Sequence, residues 1–375
     1  MNSKNLDNSM LRQVRFAPEF GRKMMQAITA EKLEQALPEE IAASIDRVII
    51  TGCGDSYLAG VAAKPAFDAL TNVRCEPVRN VAFTRHYSQE LLTKNTLVIG
   101  VSVSGTASRV IEAMERGNAH GCHTLMISDN GEALSMKEAE HCIVMGMPEL
   151  EPCAGNCSYI ATTYTLCCIA QRIGQVRGMA DPDFEENFAS YFDSFAGVME
   201  SLEERCLQVA DKIAGCTKLD FVGDGVHEAQ AYFGQAKFVE MCGMGGTVSD
   251  SEDWCHINYF ISNPKDIASF VSVDKDSPAL SRNKEVIGTM VNLGRKCVVL
   301  TDCDPAEFPE GAMVISMPSS NCPYVKALMM HLPYDAISAF VCMERGLNPF
   351  AHWEGSPWQL PECSSHTKDS EIVIL

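Results

Sequence analysis

Short apolar runs that break off at small polar residues and then pass into helix-spaced patterns recur along this chain. In "LVIGVSVSGTASRVIEAM" (97–114) an apolar run ends in Ser102, Ser104, Gly105, Thr106 and Ser108 before apolar positions return at helical spacing. "RVIITGCGDSYLAGVAAKPAF" (47–67) has the same form: a β-branched strand, a Gly-rich turn, then a helix. "HTLMISDN" and "HCIVMGM" predict two more short strands, and alternation of strands with helices predicts a parallel α/β sheet. Ahead of this set, Met24, Ile28, Leu33 and Leu37 predict helix within residues 1–46. "CSYIATTYTLCCIAQRIG" (157–174) predicts a mostly buried helix, and residues near 181–216 a more polar one.

A second set then repeats the first, about 170 residues on. "KLDFVGDGVHEAQAYFGQAKF" matches 47–67, and "IASFVSVDKD" matches "LVIGVSVSGT"; "KCVVLTD" and "AMVISMP" follow as strands. The expected organisation is a helical segment over 1–46, a first α/β domain over 47–195, a second over 196–348, and an extended tail over 349–375. Each domain is expected to be a doubly wound α/β/α sandwich.

Composition narrows the function. The 375 residues carry a net charge of −19, which argues against a nucleic-acid partner. No apolar stretch reaches the length of a membrane helix, and "MNSKNLDNSMLRQVRF" lacks the apolar region of a signal peptide. The 17 cysteines include no C-x-x-C pair, so reduced thiols and a cytoplasmic location are expected. The nine histidines show no zinc-like spacing, and neither a metal nor another cofactor is expected.

The two copies differ where chemistry would sit. After a shared Ser-Val, the first has Ser104-Gly105-Thr106 and the second Asp274-Lys275-Asp276. An anion fits the first loop, where a helix N-terminus, a permissive glycine and hydroxyl donors meet; Ser56, after Gly52 and Gly54, adds one more. Ordinary helix capping is the alternative use of such residues. In "GQAKFVEMCGMGGTVSDSEDWCHINYF", Lys237 and Glu240 share a helix face, and His256 follows across a Gly-rich turn. A surface ion pair is the alternative for Lys237 and Glu240. His227, in the second G-x-G loop, reads as a helix-start residue rather than a ligand.

"GCGDSYLAG" together with "SVSGTASRV" resembles the paired loops of sugar isomerase (SIS) domains. The duplicated arrangement, over about residues 45–350, resembles the isomerase half of glucosamine-6-phosphate synthase and its relatives. These include ketose/aldose phosphosugar isomerases, aminosugar-phosphate deaminases and fructosamine-phosphate deglycases. The resemblance implies two tandem SIS domains and a sugar phosphate held by Gly54, Ser56, Ser102, Ser104, Gly105 and Thr106 or Ser108. It implies Glu240 as proton-transfer base, beside Lys237, and His256 as ring-opening group, a histidine that in double-domain relatives can come from the neighbouring subunit. Asn156 and Ser158 would line the sugar pocket, and the tail would bring Lys368 to an open-chain carbonyl. A homodimer or higher homo-oligomer is expected. The chain departs from the family at Val103, Ala107 and in H-I-N after His256. The first cysteine is Cys53, so a glutaminase activity is not expected; isomerisation or amine release remains, with a non-catalytic phosphosugar sensor as the alternative. Trp353 and Trp358 are expected to anchor the tail.

Overall fold

The computed structural model describes residue 3, residues 6–349 and residues 355–375. The strands are β1 (Arg47–Gly52), β2 (Arg74–Arg79), β3 (Thr96–Val101), β4 (His123–Ser128), β5 (His141–Val144), β6 (Lys218–Gly223), β7 (Gly246–Ser249), β8 (Ile267–Ser272), β9 (Lys296–Thr301) and β10 (Met313–Ser316). The helices before the second sheet are α1 (Ser9–Ala27), α2 (Ala30–Ala36), α3 (Glu39–Ser44), α4 (Asp55–Leu70), α5 (Ser108–Ala119), α6 (Leu134–Glu138), α7 (Cys157–Arg177) and α8 (Phe184–Ile213). Those that follow are α9 (Glu228–Cys242), α10 (Ser251–His256), α11 (Leu280–Asn292), α12 (Pro323–Lys326) and α13 (Leu332–Glu344).

Two five-stranded sheets form, ordered β2-β1-β3-β4-β5 and β7-β6-β8-β9-β10, and every pairing is parallel. The second repeats the first strand for strand, and 2-1-3-4-5 is the doubly wound, flavodoxin-like order. The sequence reading passed over β2 and β7. Both are edge strands at equivalent places: "RCEPVR" contains Pro77, which an edge tolerates, and "GTVS" occupies what reads as a glycine-rich turn.

The central strands are apolar because helices cover both faces. In the first sheet Ile49, Val98 and Met126 pack with Val110 and Met114 of α5. In the second, Val222, Val271 and Val299 pack with Val286 and Met290 of α11 and with Trp254 of α10.

The two compact units do not follow chain order. The first-sheet unit comprises Glu19–Leu150, Cys157–Ala189 and Ser365–Leu375. The second-sheet unit comprises Met1–Pro18, Glu151–Asn156 and Ser190–Ser364. The last eleven residues thus belong with the first sheet, for a reason visible in their hydrogen bonds, given below. Among the described residues, no helix is long and apolar enough to cross a membrane.

Candidate active site

In each sheet the strand order reverses at one point, and ligands of doubly wound folds bind there, beyond the carboxyl ends of the strands. In the first sheet that point lies between β1 and β3, so the loops after these strands flank it: residues 53–56 and 102–108. Gly54 holds a positive φ of 52° ahead of α4, and Ser56 enters the first turn of that helix. Gly105 has φ +64°, and a Cβ there would lie 2.4 Å from the Ala133 Cβ, so no other residue fits this turn.

The hydroxyls of this loop are not helix caps. The N-cap of α5 is Ala107, which makes no side-chain cap bond. Ser102 Oγ accepts from the Gly105 N–H at 3.1 Å, and Ser104 Oγ and Thr106 Oγ1 are 3.0 Å apart, which shapes the turn. Ser104 is exposed, Ser56 and Thr106 are half-buried, and Ser102 and Ser108 are buried.

The tail reaches the same place. The Ser108 N–H, at the start of α5, donates to the Thr367 carbonyl at 2.9 Å. Farther along, Arg109 donates to Ser370 Oγ at 3.1 Å and Arg85 to the Val373 carbonyl at 2.7 Å. The Val373 N–H donates to the buried carboxylate of Glu112 at 3.0 Å, and Glu112 also pairs with Arg85 at 2.9 Å and with Arg109. The tail is therefore strapped along α5, with Lys368 exposed and next in sequence to Thr367. Trp358 is 63% exposed, and Trp353 lies outside the described residues.

In the second-sheet unit, Lys237 and Glu240 both lie on α9. Lys237 Nζ donates to Glu240 Oε2 at 2.6 Å; the lysine side chain is fully buried and the glutamate 36% exposed. That burial excludes the surface ion pair the spacing allowed. The Lys237 ammonium lies 4.5 Å from the centre of the Phe233 ring, and the His331 ring lies 4.8 Å from that ring. Burial, then the Lys237 charge, lower His331 to about 3, so its ring is neutral. His256 ends α10 and is exposed; its Nε2 lies 3.1 Å from Glu252 Oε1, four residues before it.

Asn156 and Ser158 part company. Asn156 is fully buried in the second-sheet unit, where its Nδ2 donates to Asp335 at 2.9 Å, while Ser158 is half-buried in the other unit. The sequence reading also missed His331, Asp335 and Lys326. The His-Asp spacing at the start of α13 was a signal for the first two. Lys326 lies 52 positions from its partner Asp274, and nothing local marks it.

Residues 41–170 match the SIS domain family. Among curated relatives, the isomerizing glutamine–fructose-6-phosphate aminotransferase of Streptococcus agalactiae is 22% identical over 357 residues, covering 90% of this chain and 56% of that protein. The chain spans about half the length of the curated relatives it matches. Among solved structures, the C-terminal domain of the glucosamine-fructose-6-phosphate aminotransferase from Francisella tularensis superposes with a TM-score of 0.80 at 16% identity, over 92% of this chain and 99% of that one. The glucosamine-6-phosphate deaminase of Thermotoga maritima gives 0.70 at 18%, over 92% and 97%. The tagatose-6-phosphate ketose/aldose isomerase of Escherichia coli gives 0.75 at 14%, over 94% and 97%. At these identities the structural likeness speaks for the fold. Residues 41–170 thus carry a SIS domain match, and a second sheet of the same strand order follows them in a chain whose fold is that of the solved phosphosugar proteins above.

Proposed function

We propose that the chain is an enzyme acting on a 6-phosphorylated hexose derivative. The reaction is either aldose–ketose isomerisation or release of an amine from an aminosugar or fructosamine phosphate. The observation that carries this reading is the uncapped hydroxyl turn at the start of α5. Its hydroxyls are spent on no cap, Gly105 lets the backbone come close, and the strand-order reversal is where such folds hold ligands. Ser56, Ser102, Ser104 and Thr106 would donate to the phosphate oxygens. Ser108 is the less favoured donor, since it is buried and the tail's Thr367 carbonyl lies against its N–H.

The chemistry asks for a group that takes a proton from C1 or C2 and returns it to the neighbouring carbon. Glu240 suits it: a carboxylate 36% exposed, held by the buried Lys237. His256, exposed on its own chain, is available to a substrate held by a neighbouring copy, where it would move the ring-opening proton. Lys368 would meet an open-chain carbonyl as the tail passes the α5 N-terminus. The names of the relatives support the same substrate class: an aminotransferase of fructose 6-phosphate, a glucosamine-6-phosphate deaminase and a tagatose-6-phosphate isomerase.

The test is a mass-spectrometric screen of hexose, aminosugar and fructosamine 6-phosphates beside their unphosphorylated forms. Conversion of a phosphorylated compound only is the expected result. Conversion of none, or equal conversion of the unphosphorylated form, overturns the reading.

A further inference from the structure

Strand β6 carries a carboxylate inside an apolar run. Asp220, in "KLDFVG", is fully buried and lies opposite Ser269 of β8. Its partner is Arg295, just ahead of β9, whose side chain is also fully buried. Apolar residues of similar volume often stabilise a core as well as a buried ion pair or better, because both ions must leave water. Burial holds the Asp220 carboxyl above its ordinary range despite Arg295. Stability alone gives no reason for this pair, so its other hydrogen bonds matter.

Those bonds converge on the segment that carries His256. Asp220 accepts from Trp254 Nε1 at 2.8 Å, two residues before the histidine. Arg295 Nη2 donates to the Asn258 carbonyl at 2.6 Å, two residues after it, and to the Tyr259 carbonyl at 3.4 Å. The guanidinium also lies 4.9 Å from the centre of the Trp254 ring. Asn258 Nδ2 in turn donates to Thr247 Oγ1 at 3.1 Å and Ser249 Oγ at 3.2 Å, both on β7. Helix α10 has six residues, too few to hold its shape alone. The chain on both sides of His256 is thus tied to the sheet, while the histidine side chain stands out 69% exposed.

We propose that Asp220 and Arg295 are positioning residues: they hold the turn over residues 257–260 so that His256 meets a substrate in one orientation. The inference rests on the reading of His256 as the ring-opening group, and its test separates the two.

Asp220→Asn with Arg295→Met removes both charges, leaves Trp254 an acceptor and withdraws the donors from the Asn258 and Tyr259 carbonyls. Steady-state kinetics on the full chain, with a substrate from the 6-phosphate screen, compare this pair variant with His256→Ala and with all three substitutions together. His256→Ala should lower kcat about 10²-fold or more. The pair variant should lower kcat about 10- to 100-fold with KM little changed, as for a group displaced by about 1 Å. The triple variant should be no slower than His256→Ala, since the pair acts through that residue. Hydrogen exchange at the Phe260 and Ile261 N–H groups, which bond the Ile257 and Asn258 carbonyls within the turn, should quicken in the pair variant. Arg295→Lys keeps a charge opposite Asp220 but not the fork, and should lower kcat in the same sense even where the pair variant does not fold. An unchanged kcat in the folded pair variant or in Arg295→Lys, a loss of kcat without quickened exchange, or a triple-variant loss equal to the product of the separate losses would overturn the positioning role and leave that of His256 standing. An unchanged kcat in His256→Ala would overturn both.

Discussion

The ammonium of Lys237, fully buried, reaches the carboxylate of Glu240 at 2.6 Å, and only the carboxylate is open to solvent. One face of that carboxylate is held by a charge the lysine cannot release to water.

Stability and turnover should therefore separate at this pair. Glu240→Gln removes the charge opposite a buried ammonium and should cost about 1–3 kcal/mol, below the usual cost of breaking a buried pair because Glu240 is 36% exposed. It should also lower kcat by about 10²–10⁴ with KM little changed. Adding Lys237→Met should restore most of the stability and none of the turnover. Thermal unfolding and steady-state kinetics on the three variants check this; recovery of turnover in the double variant would remove Glu240 from the chemistry.

The hydroxyl turn yields a prediction about affinity. Ser56→Ala with Ser104→Ala should weaken binding of a sugar phosphate by about 3–6 kcal/mol, since each of the two hydrogen bonds to a charged group is worth about 1.5–3 kcal/mol. Binding of the unphosphorylated sugar should not change. Gly105→Ala should do more, because its Cβ meets that of Ala133 at 2.4 Å. Calorimetric titration measures all three.

How far the sequence foretold this arrangement depended on where each residue's partners lie. Strands β1, β3, β6 and β8 were legible because sheets buried on both faces require unbroken apolar runs. Edge strands β2 and β7 face fewer neighbours and tolerate Pro77 or four small residues, so no such run marks them. Ser104, Gly105 and Thr106 were legible because a turn is local. The burial of Lys237 was not: lysine at helical spacing from glutamate reads as surface, and only the tertiary placement of Phe233 and His331 around it says otherwise. The His227–Asp274–Lys326 chain joins three distant segments and was hidden for the same reason.

The tail should loosen when its anchor is neutralised. Glu112 is fully buried, pairs with Arg85 and Arg109, and accepts from the Val373 N–H. Glu112→Gln should raise hydrogen exchange across residues 367–375 while the central strands stay protected. Unchanged exchange in the tail would show that its other bonds, from Ser108, Arg109 and Arg85 to Thr367, Ser370 and Val373, hold it without Glu112.

Acid should destabilise the second-sheet unit through His331. The unfolded ring takes up a proton below about pH 6.5. The folded ring, lowered to about 3, refuses it over that interval. Stability from this group is therefore full above the unfolded value and falls as pH drops, by up to about 1.4 kcal/mol per unit. His331→Gln should flatten that slope, as denaturant midpoints between about pH 7 and about pH 5 would show.

Solvent proton exchange into a bound sugar phosphate tests the central claim most directly. Wild-type chain incubated in deuterated water with a substrate from the 6-phosphate screen should place deuterium at C1 or C2 of recovered sugar, and Glu240→Gln should label neither. Labelling by the variant at the wild-type rate would contradict the assignment of Glu240 as the base.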